Sequence, residues 1–343
     1  MNRPAITPLD RTHEAAYRAL VDGKAKPLGA LGKVEDLAIQ LALVAGRPNP
    51  SYERALLLVF AGDHGLTESG VSAYPSAVTA AMVATLLAGR ASANAFARAV
   101  GAEVKVVDAG VAADLAPHPL LIDAKVAKGT RNAAFGPAMT DEEVRSALAG
   151  GAAIARRARD DGFDILALGE MGIGNTASAA LLLHRLGPAA LPDCIGPGAG
   201  HDAEGMARKR AVLETAAART SVVEPLRVAA EFGGLEIVMM AGAILGAASE
   251  RLPVLIDGFI VGAAALLAIR LDPAAADYCI FAHRSAERGH EVMLAALEAE
   301  PLLDLSLRLG EGTGALLALP LVRAAAALLA EVASLDDVLA GRL

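Results

Sequence analysis

Short apolar runs alternate along most of the chain with longer alanine-rich segments. The apolar runs lie within ALLLVFAGDHG, AEVKVVDAG, FDILALGEMGIGNT, LPVLIDGF and DYCIFAHRSAE, and each ends in glycine or polar residues. Continuous apolar runs of this kind are typical of parallel strands that are buried on both faces. The segments between them, such as SAVTAAMVATLLAG and TASAALLLHRLG, are long enough for crossover helices. The pattern predicts an α/β fold with a Rossmann-like, mainly parallel sheet and helices on both faces.

The two ends of the chain carry a helical pattern instead. LDRTHEAAYRALVDG and LGKVEDLAIQLALVAG place apolar residues at helical spacing, RPNPS interrupts the pattern, and helix returns from Ala315. The length of 343 residues also exceeds the roughly 250–300 at which one hydrophobic core stops growing. We therefore expect an α/β domain at residues 51–314 and a small helical domain formed by residues 1–50 and 315–343.

Composition narrows the range of partners. The chain has 54% hydrophobic residues and a net charge of −8, so it lacks the basic footprint of a nucleic-acid-binding protein. Its mean hydropathy of +0.44 raises the question of a membrane span. The apolar stretches at residues 232–248 and 252–269 are interrupted by Glu236 and Asp257, whereas a spanning helix needs about 20 predominantly apolar residues. We expect buried helices and strands there, and no membrane span.

The N-terminus and the cysteines indicate the cellular compartment. The first residues, MNRPAITPLDRTHEAAY, contain no apolar core of the kind that a secretory signal requires. Cys194 and Cys279 form neither a C-x-x-C pair nor a disulfide framework, so we expect both to be free in a reducing compartment. These features predict a cytoplasmic protein.

Polar residues stand where the apolar runs end. In open parallel sheets, ligands bind beyond the carboxyl ends of the strands. That rule selects Asp63, His64, Asp108, Glu170, Asp257 and His283 as candidates. Most of them are expected to be structural, because aspartate and glycine also simply form turns.

The segment GEMGIGNTAS, residues 169–178, follows a predicted strand and opens a predicted helix. Backbone N–H groups and the helix dipole attract anions at such a junction, so we expect a phosphate there, with Asn175, Thr176 and Ser178 as candidate donors. An N-cap in a tight turn is the structural alternative. The pattern G-x-G-x-x-A also matches a dinucleotide-binding fingerprint. That fingerprint needs an acidic residue to bind the ribose at the end of the next strand, about 20 residues further on. Here that region is LPDCIGPGAGHD, which we predict to be a loop. An NAD-dependent oxidoreductase and a noncatalytic nucleotide-binding protein remain the alternatives.

Basic and imidazole side chains allow two further interpretations. Arg208, Lys209 and Arg210 follow a glycine-rich stretch, and one of them is expected to face a phosphate, unless all three lie on a solvated helix face.

His283 and His290 are seven residues apart, without the H-E-x-x-H spacing that places two metal ligands together. We expect no metal site, and two histidines that cap, pair with carboxylates or line a subunit contact.

Glu311 lies between glycines in LGEGTGALLALPLV, immediately before an apolar helix. Gly310, Gly312 and Gly314 let the backbone come close to a ligand, and a carboxylate so placed can accept a proton from a bound substrate. The helix N-terminus would lower the pKa of Glu311, whereas an apolar pocket would raise it by desolvation. The alternative is that Glu311 only caps the following helix.

Segments spread in order along nearly the whole chain resemble one enzyme family. They are KPLGALGKVEDLAIQLA, GDHG, GVSAYP, GTRN, GEMGIGNT, EGMARK, FGGLEI, DGFI, HRSAERGHE and LRLGEGTGA. This set is similar to the nicotinate-nucleotide:dimethylbenzimidazole phosphoribosyltransferases of cobalamin lower-ligand synthesis. The resemblance implies transfer of the ribose 5-phosphate of nicotinate mononucleotide to 5,6-dimethylbenzimidazole, giving α-ribazole 5'-phosphate and nicotinate. It also implies a homodimer that uses no cofactor.

The resemblance implies roles for individual residues as well. Glu311 corresponds to the family's catalytic base, and Glu170 and Lys209 correspond to active-site residues beside the ribose phosphate. The other substrate-binding residues that it implies are Gly172, Gly174, Asn175 and Thr176 in the phosphate-binding turn, Met171 and Tyr74 beside the benzimidazole, and Gly310, Gly312 and Thr313.

The implied chemistry suits a single proton acceptor. The leaving ring of nicotinate mononucleotide is a pyridinium, which departs without a proton, so no general acid is required. As one benzimidazole nitrogen attacks C1 of the ribose from the opposite face, the N–H of the other nitrogen becomes acidic and a carboxylate can take its proton. This displacement inverts β to α. A second carboxylate, Glu170, is expected to stabilise the oxocarbenium-like character at C1.

Overall fold

The structure is a computed structural model that describes residues 5–198 and 200–342. Within those residues the strands are β1 Ala55–Gly62, β2 Ala102–Gly110, β3 Leu121–Asp123, β4 Ile165–Met171, β5 Val254–Ile256 and β6 Cys279–Phe281. The α-helices are α1 Glu14–Asp22, α2 Lys33–Ala45, α3 Ala77–Leu87, α4 Ser92–Val100, α5 Asp141–Asp160, α6 Asn175–Leu186, α7 Leu191–Cys194, α8 Ala203–Ala218, α9 Pro225–Phe232, α10 Leu235–Ser249, α11 Phe259–Leu271, α12 Arg288–Ala296, α13 Thr313–Glu331 and α14 Leu335–Leu339. Short 3₁₀ helices lie at Gly65–Ser69 and Pro273–Tyr278.

The strands of the described residues form a parallel sheet in the order β3-β2-β1-β4-β5-β6. β1 lies inside the sheet, where Ala55 pairs with Ala102 of β2 and with Ile165 of β4. Every residue of β1 is buried, as its continuous apolar run predicts. The predicted α/β fold is confirmed, and the strand order is that of a doubly wound sheet.

The edge strand β3 was not predicted. The sequence pattern predicts five strands, whereas Leu121 pairs with Val106 and Ile122 with Val107 at the edge of the sheet. β3 spans only three residues, and none of them is fully buried. A strand this short and this exposed shows neither an apolar run nor an alternation, so the sequence pattern could not reveal it.

Helices cover the sheet in two groups. α5, α6, α9, α10 and α11 contact one another, while α13 packs against α2 and α4, and members of both groups contact the strands. A Cβ at Gly151 would collide with the carbonyl of Met239, and one at Gly242 with the carbonyl of Leu148. The backbones of α5 and α10 therefore touch directly. This packing explains why glycine and alanine replace aromatic residues, which are only 3% of the chain.

The terminal helices meet each other. α2 packs against α13, and α1 contacts both of them. Lys24 Nζ donates hydrogen bonds to the carbonyls of Leu329 at 2.7 Å and Val332 at 2.8 Å. Because α13 also packs against β4 and β5, the division into an α/β domain and a small helical domain stays a prediction.

Among the described residues, α13 is the one helix that is long and apolar enough to cross a membrane, judged by length and composition. In its most apolar window, 61% of the residues are buried inside the protein, as in a core helix. The stretches at residues 232–248 and 252–269, which raised the membrane question, form buried α10 and buried β5 with α11.

The two cysteines are free, as predicted, and the structure shows that both are buried. Burial raises the pKa of both the Cys194 and the Cys279 thiol to about 12. Since the thiolate is the reactive form of cysteine, neither side chain is suited to nucleophilic chemistry.

Candidate active site

A cavity of about 430 Å³ lies at the carboxyl ends of β4, β5 and β6, where the topology of parallel sheets places ligands. Its wall contains these residues of the predicted site: Tyr74, Glu170, Met171, Gly172, Asn175, Thr176, Gly310 and Glu311. The other predicted residues adjoin the wall. Gly174 and Gly312 are chain neighbours of wall residues. Thr313 Oγ1 donates a hydrogen bond to the carbonyl of Gly310 at 2.9 Å, and Lys209 Nζ donates one to Thr176 Oγ1 at 2.9 Å.

Glu311 is held in an uncommon backbone conformation. Its φ is 60°, a region that costs a residue with a side chain about 1–3 kcal/mol and that is found mainly at functional sites. The residue is 5% exposed, and Oε2 lies 3.5 Å from the backbone nitrogen of Ala93 in α4. The N-cap of α13 is Gly312, without a side-chain cap. Glu311 therefore does not cap the helix that follows it.

Of the two effects expected on the pKa of Glu311, desolvation by burial is the larger. Removal from water raises the pKa of this carboxyl above its ordinary value, and the nearby Asp257 acts in the same direction. The N–H of Ala93 opposes both effects but does not outweigh them. A carboxylate with a raised pKa is a stronger proton acceptor than an exposed one.

The glycines around Glu311 serve close packing of the protein itself. A Cβ at Gly169 of β4 would collide with the backbone of Glu311, and one at Gly314 would collide with the ring of His283. A Cβ at Gly310 would collide with Glu170 Oε1. Of the three glycines that were expected to approach a ligand, Gly310 lines the cavity, whereas Gly312 and Gly314 are packed against protein atoms.

Glu170 is the next-to-last residue of β4 and lies near Glu311. Burial raises the pKa of Glu170 to about 8, and the negative charges of Asp257 and Glu236 contribute to that shift. Asn175 Nδ2 donates a hydrogen bond to Glu170 Oε2. Asn175 thus points at the carboxylate. Ser178, another candidate phosphate donor, is fully buried and donates to the carbonyl of Phe232, so that expectation for Ser178 was wrong.

Lys209 is the buried member of the three consecutive basic residues. It is 1% exposed, whereas Arg208 and Arg210 are exposed on α8. Its Nζ donates to Thr176 Oγ1 and to the carbonyl of Gly196, both at 2.9 Å. Burial lowers the pKa of Lys209 to about 8, and the negative charge of Glu287 opposes that shift. The ammonium group of Lys209, held by Thr176 and Gly196, therefore lies beside the N-terminus of α6.

The two histidines of HRSAERGHE fix the loop behind β6. His283 Nε2 lies 3.5 Å from Asp257 Oδ1, which also accepts from the backbone nitrogen of Ala315 at 2.9 Å. His290 Nδ1 accepts from the backbone nitrogen of Ser285 at 2.8 Å. Burial lowers the pKa of His290 to about 3, and the neighbouring His283 adds to that shift. In residues 5–198 and 200–342, no group of three or more His, Cys, Asp or Glu side chains has the arrangement of a metal site.

Several wall residues were not assigned to the site from the sequence. They are Val78, Met82, Asp257, Phe259, His283, Ser285, Glu287 and Arg308. Asp257 and His283 were strand-end candidates, and the strings DGFI and HRSAERGHE contain both of them together with Phe259, Ser285 and Glu287. Arg308 is an exposed cation in a wall that also carries four carboxylates, Glu170, Asp257, Glu287 and Glu311. Nothing in its local sequence distinguishes it from an ordinary loop arginine.

The dinucleotide alternative does not fit the chain path. After α6 the described residues form the short helix α7 and a loop, and the next strand, β5, begins only at Val254. A dinucleotide site needs an acid at the end of a strand about 20 residues after the glycines. The segment LPDCIGPGAGHD was predicted to be a loop, but its first four residues form the helix α7, Leu191–Cys194, so this part of the prediction was wrong.

The fold and the cavity define an α/β protein with a ligand-sized cavity at the carboxyl ends of its strands, and four carboxylates lie in the wall of that cavity. A family model described as "Phosphoribosyltransferase" matches residues 6–338. The chain therefore belongs to this phosphoribosyltransferase family.

Named relatives agree with that assignment. The nicotinate-nucleotide–dimethylbenzimidazole phosphoribosyltransferase of Cupriavidus necator is 51% identical over 335 residues, which covers 97% of each chain. The enzyme of the same name from Ralstonia nicotianae is 52% identical and covers 96% of this chain and 94% of its own. The crystal structure of CobT from Thermus thermophilus superimposes with a TM-score of 0.92 at 46% identity, covering 95% of this chain and 98% of that one.

Proposed function

We propose that this enzyme transfers the 5-phosphoribosyl group of nicotinate mononucleotide to 5,6-dimethylbenzimidazole and releases α-ribazole 5'-phosphate and nicotinate. The reaction belongs to assembly of the nucleotide loop of cobalamin. One observation carries the proposal: a single cavity brings Glu311 and Glu170 together with the loop that begins α6, in a chain that covers nearly the full length of relatives bearing this name.

The phosphate of nicotinate mononucleotide binds at the phosphate-binding turn, residues 172–176. Gly172, Asn175 and Thr176 line the cavity there, and the N-terminus of α6 carries a partial positive charge. Lys209 holds Thr176 from behind and adds a full positive charge. Arg308 supplies a second cation for the other anionic group of the substrate, the nicotinate carboxylate.

The acceptor base binds against the apolar part of the wall. Tyr74, Met82, Met171 and Phe259 contribute flat or flexible side chains that suit the planar benzimidazole. Tyr74 is 50% exposed, so this side of the cavity opens to solvent. A pocket of this kind separates related bases by only about 10- to 200-fold per methylene, so relatives of dimethylbenzimidazole are expected to compete.

Glu311 is the proton acceptor. One benzimidazole nitrogen attacks C1 of the ribose and the C1–nicotinate bond breaks, so the electron pair of that bond neutralises the pyridinium nitrogen. The second benzimidazole nitrogen gives its proton to the Glu311 carboxylate. Attack from the opposite face converts the β-nucleotide into the α-product, and no group has to protonate the leaving ring.

Glu170 stabilises positive charge at C1. Because its pKa is about 8 in the free protein, Glu170 is largely protonated at neutral pH before substrate binds. The pyridinium of nicotinate mononucleotide brings a positive charge into the cavity, which favours loss of that proton. The resulting carboxylate then faces the ribose as oxocarbenium character develops.

The pH dependence of kcat/KM for nicotinate mononucleotide is expected to be a narrow bell near pH 8. The Glu170 anion forms as the pH rises through its pKa of about 8, and the Lys209 cation is lost as the pH rises through its own pKa of about 8. Initial rates from about pH 6 to about pH 10 would define both limbs. Glu170→Gln should leave an acidic limb set by Glu311 alone, and Lys209→Arg should move the basic limb upward. If the acidic limb were unchanged in Glu170→Gln and the basic limb unchanged in Lys209→Arg, the two limbs could not be assigned to these residues.

Gly169→Ala is expected to lower kcat by roughly 10²-fold, the typical cost of misplacing a catalytic group by about 1 Å. The new Cβ would collide with the backbone of Glu311 and push it away from β4. Initial rates with both substrates saturating would measure the effect. Gly136→Ala is the matched control, since a Cβ there meets nothing within 4 Å. Equal rates for the two variants would show that the position of Glu311 is unimportant.

Incubation with nicotinate mononucleotide and a panel of bases tests the function as a whole. The proposal predicts nicotinate release that depends on an added benzimidazole, and a product whose mass equals ribosyl phosphate plus the base. Binding without turnover with any base would favour a noncatalytic nucleotide-binding protein. Saturable NADH binding with hydride transfer would favour an oxidoreductase.

We also propose that the enzyme is a cytoplasmic homodimer. The cytoplasm agrees with its membership of a soluble biosynthetic family and with two free cysteines. Light scattering coupled to gel filtration would measure the mass of the assembly directly, and a mass equal to one chain would contradict the dimer.

A further inference from the structure

Two segments that resemble the family, GDHG and FGGLEI, have no role in the mechanism above. The structure brings them together although they are far apart in the chain. His64 Nε2 lies 2.6 Å from Glu236 Oε1, and the two side chains are 1% and 0% exposed. Burial lowers the pKa of His64, but the carboxylate of Glu236 outweighs that effect and raises the pKa above its ordinary value. Pairing with Glu236 therefore favours the imidazolium form of His64.

A buried ion pair of this kind is poorly explained by stability alone. Both charges lose their water, and such pairs often stabilise a fold no better than apolar residues of the same size. Glu236 Oε2 has no hydrogen-bond partner within the described parts of the chain. Its position in the first turn of α10 offsets some of this cost through the helix dipole. The remaining cost suggests a function.

The pair touches the phosphate-binding turn from behind. A Cβ built at Gly172 would lie 3.3 Å from Glu236 Oε1, and one built at Gly174 would lie 3.4 Å from His64 Cβ. Gly174 has a φ of 93°, which a residue with a side chain adopts rarely. Each glycine of the turn thus lies near one member of the pair, behind a closer contact of the built Cβ with Gly62 O at 2.5 Å for Gly172 and with Thr67 Cγ2 at 2.8 Å for Gly174.

Hydrogen bonds also tie the chain around His64 to a second segment, at Thr130, and to the 3₁₀ helix that follows. The carbonyl of Asp63 accepts from the backbone nitrogen of Thr130, and the backbone nitrogen of Gly65 donates to Thr130 Oγ1 at 3.2 Å. The hydroxyl of Thr67 donates to the carbonyl of His64 at 2.7 Å. His64 is therefore fixed on both sides. A group held this firmly can hold the turn that rests on it.

We propose that His64 and Glu236 are positioning residues for recognition of the 5'-phosphate of the nucleotide substrate, because they set the backbone of the phosphate-binding turn. The inference rests on the proposed function for the identity of that nucleotide. It assigns the pair to nucleotide binding and not to acceptance of the base. Neither side chain lines the cavity in which the reaction is proposed to occur.

Calorimetric titration with nicotinate mononucleotide, without any base, measures the effect directly. Glu236→Gln keeps the size of the side chain but removes its charge, and the Kd is expected to rise about tenfold, as for the loss of one charge-assisted hydrogen bond. His64→Ala should have at least the same effect. His64→Gln places an amide near the position of Nε2 and should restore the Kd to within about threefold. The KM for dimethylbenzimidazole should change less than about twofold, near the precision of such a comparison.

The pH profile provides a readout that a purely structural role would not change. The charge of Glu236 contributes to the raised pKa of Glu170, so Glu236→Gln should move the acidic limb of kcat/KM to lower pH. Glu231→Gln is the matched control: this glutamate is also buried, its partner is Arg219 at 2.8 Å, and it lies outside the cavity wall. It should lower the thermal midpoint without changing the Kd or the limb.

Each outcome decides the inference. An unchanged Kd in Glu236→Gln and His64→Ala would overturn it, and so would failure of His64→Gln to bind better than His64→Ala. If Glu236→Gln does not fold, the two His64 variants carry the same comparison. Weaker binding in the variants of a protein that shows no base-dependent turnover would refute the proposed function and leave the inference standing. No binding by the unaltered protein would overturn both.

Discussion

Glu311→Gln is expected to lower kcat by ~10²–10⁴-fold, the usual contribution of a general base. Glutamine keeps the shape of the side chain but cannot take the proton of the benzimidazole nitrogen. Glu170 faces the ribose in the proposed mechanism and is therefore not positioned to take that proton instead. The KM for nicotinate mononucleotide should change little, since we propose that the phosphate binds at residues 172–176. Initial rates of nicotinate release with both substrates saturating would measure the effect.

The control for Glu311 separates the loss of a base from a general loss of charge. Glu291→Gln removes an exposed carboxylate in the first turn of α12 and should leave kcat unchanged. A burst of nicotinate in the Glu311→Gln variant, or kcat within about threefold of the unaltered enzyme, would remove Glu311 from the role of base.

Lys209→Met is expected to raise the Kd for nicotinate mononucleotide roughly 10- to 150-fold, which corresponds to the ~1.5–3 kcal/mol of a hydrogen bond to a charged group. The ammonium group lies buried beside the phosphate-binding turn, and it also orients Thr176 Oγ1. Methionine fills the same space without a charge. The thermal midpoint should stay the same or rise, because a buried ammonium costs free energy of desolvation. Calorimetry and thermal unfolding would measure the two quantities.

Arg210→Met provides the comparison for Lys209. Arg210 is the next residue on α8, carries the same charge and is exposed. Its loss should change the Kd by less than about twofold, as expected for a surface charge. If both variants lost affinity equally, the effect would come from the net charge of the protein and not from a specific contact.

The sequence predicted most of the sheet because its long strands are buried on both faces. β1 and β4 are continuous apolar runs, and a run of that length leaves few alternatives. β3 was missed because three partly exposed residues at an edge produce no pattern. The short strands β5 and β6 were found because polar residues, Asp257 and His283, end their apolar runs. Strand prediction thus succeeded where burial imposed a pattern on the chain.

The site was predictable where its residues occur in unusual local sequences. Glu311 among glycines and the loop after β4 are of that kind, and the cavity brings both together. Which of three consecutive basic residues is buried depends on the orientation of α8, and the sequence alone left that open. The partnership of His64 with Glu236 joins residues that are 172 positions apart, so no local pattern contains it. The prediction for Ser178 was wrong because a serine in the first turn of a helix can donate to a phosphate only when its hydroxyl faces the ligand, and the hydroxyl of Ser178 faces Phe232.

The configuration of the product at C1 tests the central claim most directly. The enzyme would be incubated with nicotinate mononucleotide and 5,6-dimethylbenzimidazole, and the ribosylated base would be examined by proton NMR through the couplings and cross-relaxation of its C1 hydrogen. One direct displacement with Glu311 as the only proton acceptor predicts the α-anomer and one nicotinate released per product. A β-anomer would require a second displacement through a covalent intermediate and would contradict the account.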